Sequence, residues 1–157
     1  MFAKTFKRGL LPPVVAVLLV LATFCEVPVY TDDYEPNDSF EDAKTISLGA
    51  IIEANILPEG DVDYFKLNLT GSDSLMLRYT LSVPSQLRPE IRFYISANEE
   101  LIDHRNYSTE LGASLEDSLM LGAGDLVVRV SSFSYEESDS NYTLTLSTSA
   151  PVVAATD

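Results

Sequence analysis

Two short acidic segments carry the chemistry most directly read from this chain. One is Glu35-Pro36-Asn37-Asp38 and the other is Asp61-Val62-Asp63. Pro36 disfavours helical backbone at Glu35 and holds it extended, and the polar pair Asn37-Asp38 follows immediately. Asp61 and Asp63 share strand parity with Phe65, Leu67 and Leu69. If that parity faces the core, Asp63 lies at the core rim, where a carboxylate must be paired, protonated or metal-bound. Ca²⁺ takes about six to eight oxygen ligands, mostly carboxylate and carbonyl. Glu35, Asn37, Asp38, Asp61 and Asp63 supply that chemistry, with Asp33 a weaker candidate just ahead of them. The expected affinity is that of extracellular modules, about 10⁻⁴ M. The competing account is that Asp61 and Asp63 cap a turn and Asp63 pairs with an arginine such as Arg129.

No other constellation announces a reaction. Gly-x-Ser-x-Gly, P-loop, dinucleotide and His-Glu-x-x-His patterns are all missing. One cysteine, Cys25, and one histidine, His104, exclude an intrachain disulfide and a Cys/His zinc site. His104 sits in Leu101-Ile102-Asp103-His104-Arg105 and reads as a solvated loop or edge-strand residue. With 24 acidic residues, no two stand out as a glycosidase pair. No enzyme is indicated. The remaining functional candidates are aromatic and basic. Tyr64, Arg92 and Tyr94 fall on the polar parity of their strands, where exposed rings and a guanidinium can anchor a ligand. Lys66, Met76 and Arg78 join them if the strands share a sheet. The ordinary alternative is that the tyrosines pack under loops and the arginines pair with nearby carboxylates.

The elements that position these residues are strands. Phe65, Leu67 and Leu69 alternate with Lys66, Asn68 and Thr70. Leu75 to Val83, Ile91 to Ile95, Leu126 to Val130 and Tyr142 to Leu146 alternate in the same way, although Val127 breaks its polar face. Gly, Pro, Ser and Asp fill the gaps, as in Pro58-Glu59-Gly60 and Ser138-Asp139-Ser140. Short strands without intervening helices predict an all-β protein, an antiparallel two-sheet β-sandwich of jelly-roll-like kind. One helical turn fits Ser39 to Ala43, with Asp38 or Ser39 as cap.

Charge and the first segment bear on location. The chain of 157 residues has ten basic and 24 acidic residues, a formal net charge of −14. Three of the basic residues, Lys4, Lys7 and Arg8, precede residue 10, so the part beyond residue 25 stands at −17. Phosphate backbones repel such a surface, which excludes nucleic acid as a partner. Residues 1–25 combine that basic start with the uncharged run Gly9 to Cys25, the pattern of a secretory signal. Two processing routes fit its end: ordinary cleavage near Cys25, or lipidation of Cys25 as the first residue of a lipoprotein. The second would be the chain's only link to a membrane. Residues 26–34 read as a linker and 149–157 as a frayed tail.

Between them, Tyr34-Glu35-Pro36-Asn37-Asp38-Ser39, Gly60-Asp61-Val62-Asp63-Tyr64-Phe65, Leu121-Gly122-Ala123-Gly124 and Asn141-Tyr142-Thr143-Leu144 follow in order. Residues 34–148 thereby resemble the bacterial pre-peptidase C-terminal domain, which is similar to the collagen-binding domains of clostridial collagenases. The sequence departs from that family at Asp125-Leu126, where aromatic residues are usual, and no peptidase domain accompanies it. The resemblance implies a β-sandwich, Ca²⁺ on the two acidic segments, and an exported, non-catalytic module. Such a module recognises a protein or polysaccharide surface. The alternative is a structural envelope lipoprotein or accessory subunit with no ligand of its own, in the periplasm or beyond it.

Overall fold

Alternating apolar residues need a partner face, and here two sheets supply it to each other. The computed structural model describes residues 32–69, 75–95, 100–122 and 124–149. The signal segment with Cys25, most of the 26–34 linker, and the tail after Ser149 lie outside the described residues. Among these described residues nine strands run in the order β1 (Lys44–Thr45), β2 (Ile51–Ile56), β3 (Val62–Leu69), β4 (Leu75–Ser82), β5 (Pro89–Ile95), β6 (Glu100–Tyr107), β7 (Ser114–Leu121), β8 (Gly124–Ser132) and β9 (Ser138–Ser149). A five-stranded sheet has the order β1-β3-β8-β5-β6, and a four-stranded sheet the order β2-β9-β4-β7. Every pairing is antiparallel except β1 with β3. The fold is the expected all-β sandwich.

Phe65, Leu67, Ile91, Phe93, Val128 and Val130 fill the core from the larger sheet. Ile52, Leu77, Leu81, Tyr142, Leu144 and Leu146 meet them from the smaller one. Burying each such side chain contributes about 1.5–3 kcal/mol. Register then fixes what the other parity does: in β3 it sends Tyr64 and Lys66 outward, and sends Asp63 inward with Phe65.

Three local expectations are corrected. Ser39 to Ala43 forms a turn, not a helical turn; the Ser39 hydroxyl accepts from the Asp42 amide at 3.3 Å. His104 does lie on an edge strand, β6, but is largely buried there, not solvated. Its ring packs against Phe93 and Tyr79 (centroids 5.2 and 5.8 Å), and Nε2 lies 3.2 Å from the Tyr79 hydroxyl. Two apolar rings and a hydroxyl partner outweigh its charged sequence neighbours. Met76 and Arg78 belong to β4, in the other sheet, so they cannot share a face with Tyr64 and Arg92.

Candidate metal centre

The turn between β2 and β3 delivers the second acidic segment. Gly60, at φ +86°, takes the left-handed conformation that favours glycine, and the Asp61 amide bonds back to the Pro58 carbonyl at 3.0 Å. Asp61 Oδ2 accepts from the Leu57 amide at 2.8 Å, which closes the turn on its own side chain. Two residues on, Asp63 is fully buried and its Oδ2 accepts from the Tyr142 hydroxyl of β9 at 2.6 Å. Arg129 is not its partner. Asp63 is in register with Val130, so Arg129 points to the opposite face of the sheet.

The first segment comes alongside through backbone pairing. The Tyr64 amide donates to the Asn37 carbonyl at 2.9 Å, which lays residues 35–38 against the start of β3. Tyr34 packs edge-on against Phe65 at 5.4 Å and holds the segment from the other end. The Asn37 amide donates to Glu35 Oε2 at 3.1 Å. As a result, one carboxylate oxygen from each of Glu35, Asp61 and Asp63 lies within 4.8 Å of the other two.

What marks this cluster is unmet demand. Asn37 is completely buried, yet neither its Oδ1 nor its Nδ2 has a hydrogen-bond partner among the described residues. Asp61 Oδ1 and Asp63 Oδ1 are orphaned in the same way. Leaving a buried polar atom unpaired costs about 1–3 kcal/mol, more when it is charged. Burial pushes the Asp61 carboxyl up to about 7, helped by the hydrogen bond its protonated form gives to Asp38 and by the charges of Glu35 and Asp38. Burial likewise holds Asp63 well above the carboxylate range, against the Tyr142 hydrogen bond. Glu35 is raised by burial and by Asp38. Tyr142 is raised by its own burial and by Asp63, so it stays a donor. A cluster of three carboxyls that resist ionising, two of them with an orphaned oxygen, fits a hard divalent cation.

Of the five residues expected from sequence, the structure brings the carboxylates of Glu35, Asp61 and Asp63 together, and Asn37 is buried on the segment that pairs with Tyr64. The fifth, Asp38, is exposed and reaches the cluster through Asp61. Two members had no signal in the motif. Tyr142 belongs to the other sheet. Asp32 accepts from the amides of Tyr34 and Asn55 at 2.8 and 2.9 Å and adds its negative field to the cluster. Asp33, the neighbour considered from sequence, is exposed.

The fold has a known counterpart. The chain superposes on the pre-peptidase C-terminal domain of collagenase from Bacillus anthracis with a TM-score of 0.52 and 12% sequence identity, over 66% of this chain and 93% of that one. The chain has the fold of a pre-peptidase C-terminal domain. It also matches PliG, a periplasmic inhibitor of g-type lysozyme from Aeromonas hydrophila, with a TM-score of 0.47 and 12% identity over 68% and 97% of the two chains. No protein-family model and no curated protein sequence matches it. No helix among the described residues is long and apolar enough to cross a membrane.

The second set of candidates lies on the outward face of the five-stranded sheet. Tyr64 and Tyr94 are half-buried because Phe40, in the turn before β1, packs on both rings at 5.4 and 5.3 Å. Val127, which breaks the polar alternation of β8, is in register with Lys66 and Tyr94 in the row beside this contact, and is fully buried. Arg92 pairs with Glu90, which also accepts from Arg105 Nε at 2.7 Å. Burial would raise the Glu90 carboxyl, but hydrogen bonds from Arg105 and Arg92 outweigh it and hold the group below its ordinary value. Its contribution is therefore present above the unfolded-state value of 4.5 and is lost as pH falls through the lowered folded one. Glu90→Gln is expected to cost roughly 2 kcal/mol at neutral pH and nothing in strong acid, as read by urea unfolding at the two pH values. An equal loss at both would remove the charge from the explanation.

Proposed function

We propose that this chain is an exported, non-catalytic accessory module in which a calcium ion ties the N-terminal segment to the β-sandwich, and whose outward sheet face recognises a protein or polysaccharide surface. The observation that carries the reading is the mutually close carboxylate set of Glu35, Asp61 and Asp63, with orphaned oxygens on Asp61 and Asp63 and an unpartnered buried amide on Asn37. Glu35, Asn37, Asp61 and Asp63 would hold the ion, with Asp38 at its exposed side. The ion would supply positive charge to carboxylates that otherwise stay protonated, and it would fix residues 35–38 against β3. The family resemblance of the two acidic segments supports the same assignment, and the outward tyrosines with Arg92 support a binding role for that face.

Calcium in melting experiments is the test. At a concentration 100-fold above its Kd, a ligand that binds only the folded state contributes about 2.7 kcal/mol. For a domain of this size that raises the midpoint by roughly 10 °C. Magnesium, which demands a tighter octahedral shell, should do much less. Identical midpoints in chelator and in millimolar calcium would sink the metal assignment.

A further inference from the structure

Three arginines stand side by side on the outward face of the five-stranded sheet. Arg129 of β8 is in direct register with Arg92 of β5, and Arg92 with Arg105 of β6. Tyr64 of β3 continues the row beyond Arg129. With neighbouring strands about 4.8 Å apart, the three arginines span about 10 Å. Like charges directly opposite each other on adjacent strands destabilise a sheet. Among the described residues Glu90, itself buried, offsets this row, and it serves Arg92 and Arg105. Arg129 has no ion pair among the described residues, and neither has Lys66 in the next row. Four of the seven basic residues beyond residue 25 thus share one face of a chain that is otherwise strongly acidic.

The flanks of the row differ. On one side the rings of Tyr107 and Phe133 stack at 4.7 Å, 6° from parallel, with the Arg105 guanidinium 4.7 Å from the Tyr107 centroid. Tyr107 is 45% exposed, so this ledge is open. On the other side the Phe40 turn, which carries Glu41 and Asp42, closes the face.

We propose that the Arg129–Arg92–Arg105 row, with its Tyr107–Phe133 ledge, binds the carboxylates of a uronate-bearing polysaccharide. The inference rests on the reading of this sheet face as the binding face and names its ligand. Guanidinium forks match carboxylates in bidentate geometry. A flat sugar ring bearing one carboxylate meets both the fork and the aromatic ledge. An acidic peptide is the poorer match. β8 and β5 are paired on both sides, so along this row a peptide main chain could add only at the edge strand β6, beyond Arg105 and away from Arg92 and Arg129. The acidic loops do not forbid the contact, because beyond about 8 Å their charge is screened at physiological salt.

The test is calorimetric titration of the protein with oligogalacturonates in chelator, with neutral galactose oligomers and polyglutamate in parallel. Wild type should bind the oligogalacturonates alone. Arg129→Gln should weaken that binding at least about tenfold, the value of one charge-assisted contact. Its melting midpoint should hold or rise, since a like-charge neighbour is removed. Arg105→Gln, at an exposed side chain, is the second variant and should weaken binding similarly. Unchanged affinity in both variants overturns the proposal, as does tighter binding of polyglutamate. Binding of the neutral oligomers that neither variant disturbs would overturn the arginine row while leaving the face as a recognition surface. Absence of binding in every arm would overturn both.

Discussion

Asp63→Asn is expected to make the metal-free protein more stable and insensitive to calcium. Asp63 is fully buried, and only one of its oxygens has a partner, the Tyr142 hydroxyl. Burial, Asp61, Asp32 and Glu35 all oppose its charge, and a single hydrogen bond works against them. Above neutral pH the folded chain must therefore either keep a proton there or hold an uncompensated buried charge. An uncompensated buried charge costs about 3–5 kcal/mol. Asparagine keeps an acceptor for Tyr142, and its amide can donate toward the orphaned oxygens nearby. At pH 8 in chelator the variant should unfold with a midpoint roughly 10 °C above wild type. In millimolar calcium the order should reverse or close, because the variant has lost an anionic ligand. Tyr142→Phe should move the other way, by about 1–3 kcal/mol, since it leaves both Asp63 oxygens unpaired in the metal-free state. The pair of variants separates a metal site from a buried hydrogen bond. An Asp63→Asn protein that is less stable in chelator and still gains from calcium would contradict the assignment.

The parity of Asp63 was legible before any coordinates. Two-residue alternation through Phe65, Leu67 and Leu69 places it inward, and the structure buries it. The same rule read the strands that became β3, β4, β5, β8 and β9, because each alternates apolar and polar residues, with Val127 of β8 the exception. His104 of β6 was harder, since contacts from the other sheet largely bury it. Asp32 and Tyr142 escaped for a related reason: their partners, Asn55 and Asp63, lie 23 and 79 residues away, and no local pattern encodes such a distance. The outward face shows the limit most plainly. Tyr64, Arg92 and Tyr94 were recognisable as outward residues one strand at a time. Sheet membership then removed Arg78, and the Phe40 turn covered part of both tyrosines. The arginine row exists only through the register of β8 with β5 and β5 with β6. Parity within a strand follows from sequence, whereas neighbours across strands follow from topology.

Stability should respond to pH in opposite directions with and without calcium. Burial raises Asp61 from its ordinary 3.8 to about 7 in the folded state, and Asp63 is raised as well. For a group whose folded value is raised, the contribution to stability is complete below the unfolded value and is lost as pH climbs through the folded one. In chelator, then, the cluster favours the folded state at about pH 4 and loses that advantage by about pH 7. A displacement of about three pH units is worth roughly 4 kcal/mol, a large share of the 5–15 kcal/mol typical of a domain. Calcium inverts the sign. An ion on Glu35, Asp61 and Asp63 favours their charged forms, so protons compete with it, and its stabilisation grows as pH rises through the same window. Unfolding midpoints from pH 4.5 to 8 should therefore fall in chelator and rise in calcium, with the gap widest above pH 7. The Asp61→Asn/Asp63→Asn double variant provides the control, because titrations elsewhere in the molecule persist in it. If the falling limb survives in that variant, the pH dependence originates outside the cluster. If calcium stabilises wild type equally at pH 5 and pH 8, its binding does not compete with these carboxyl protons.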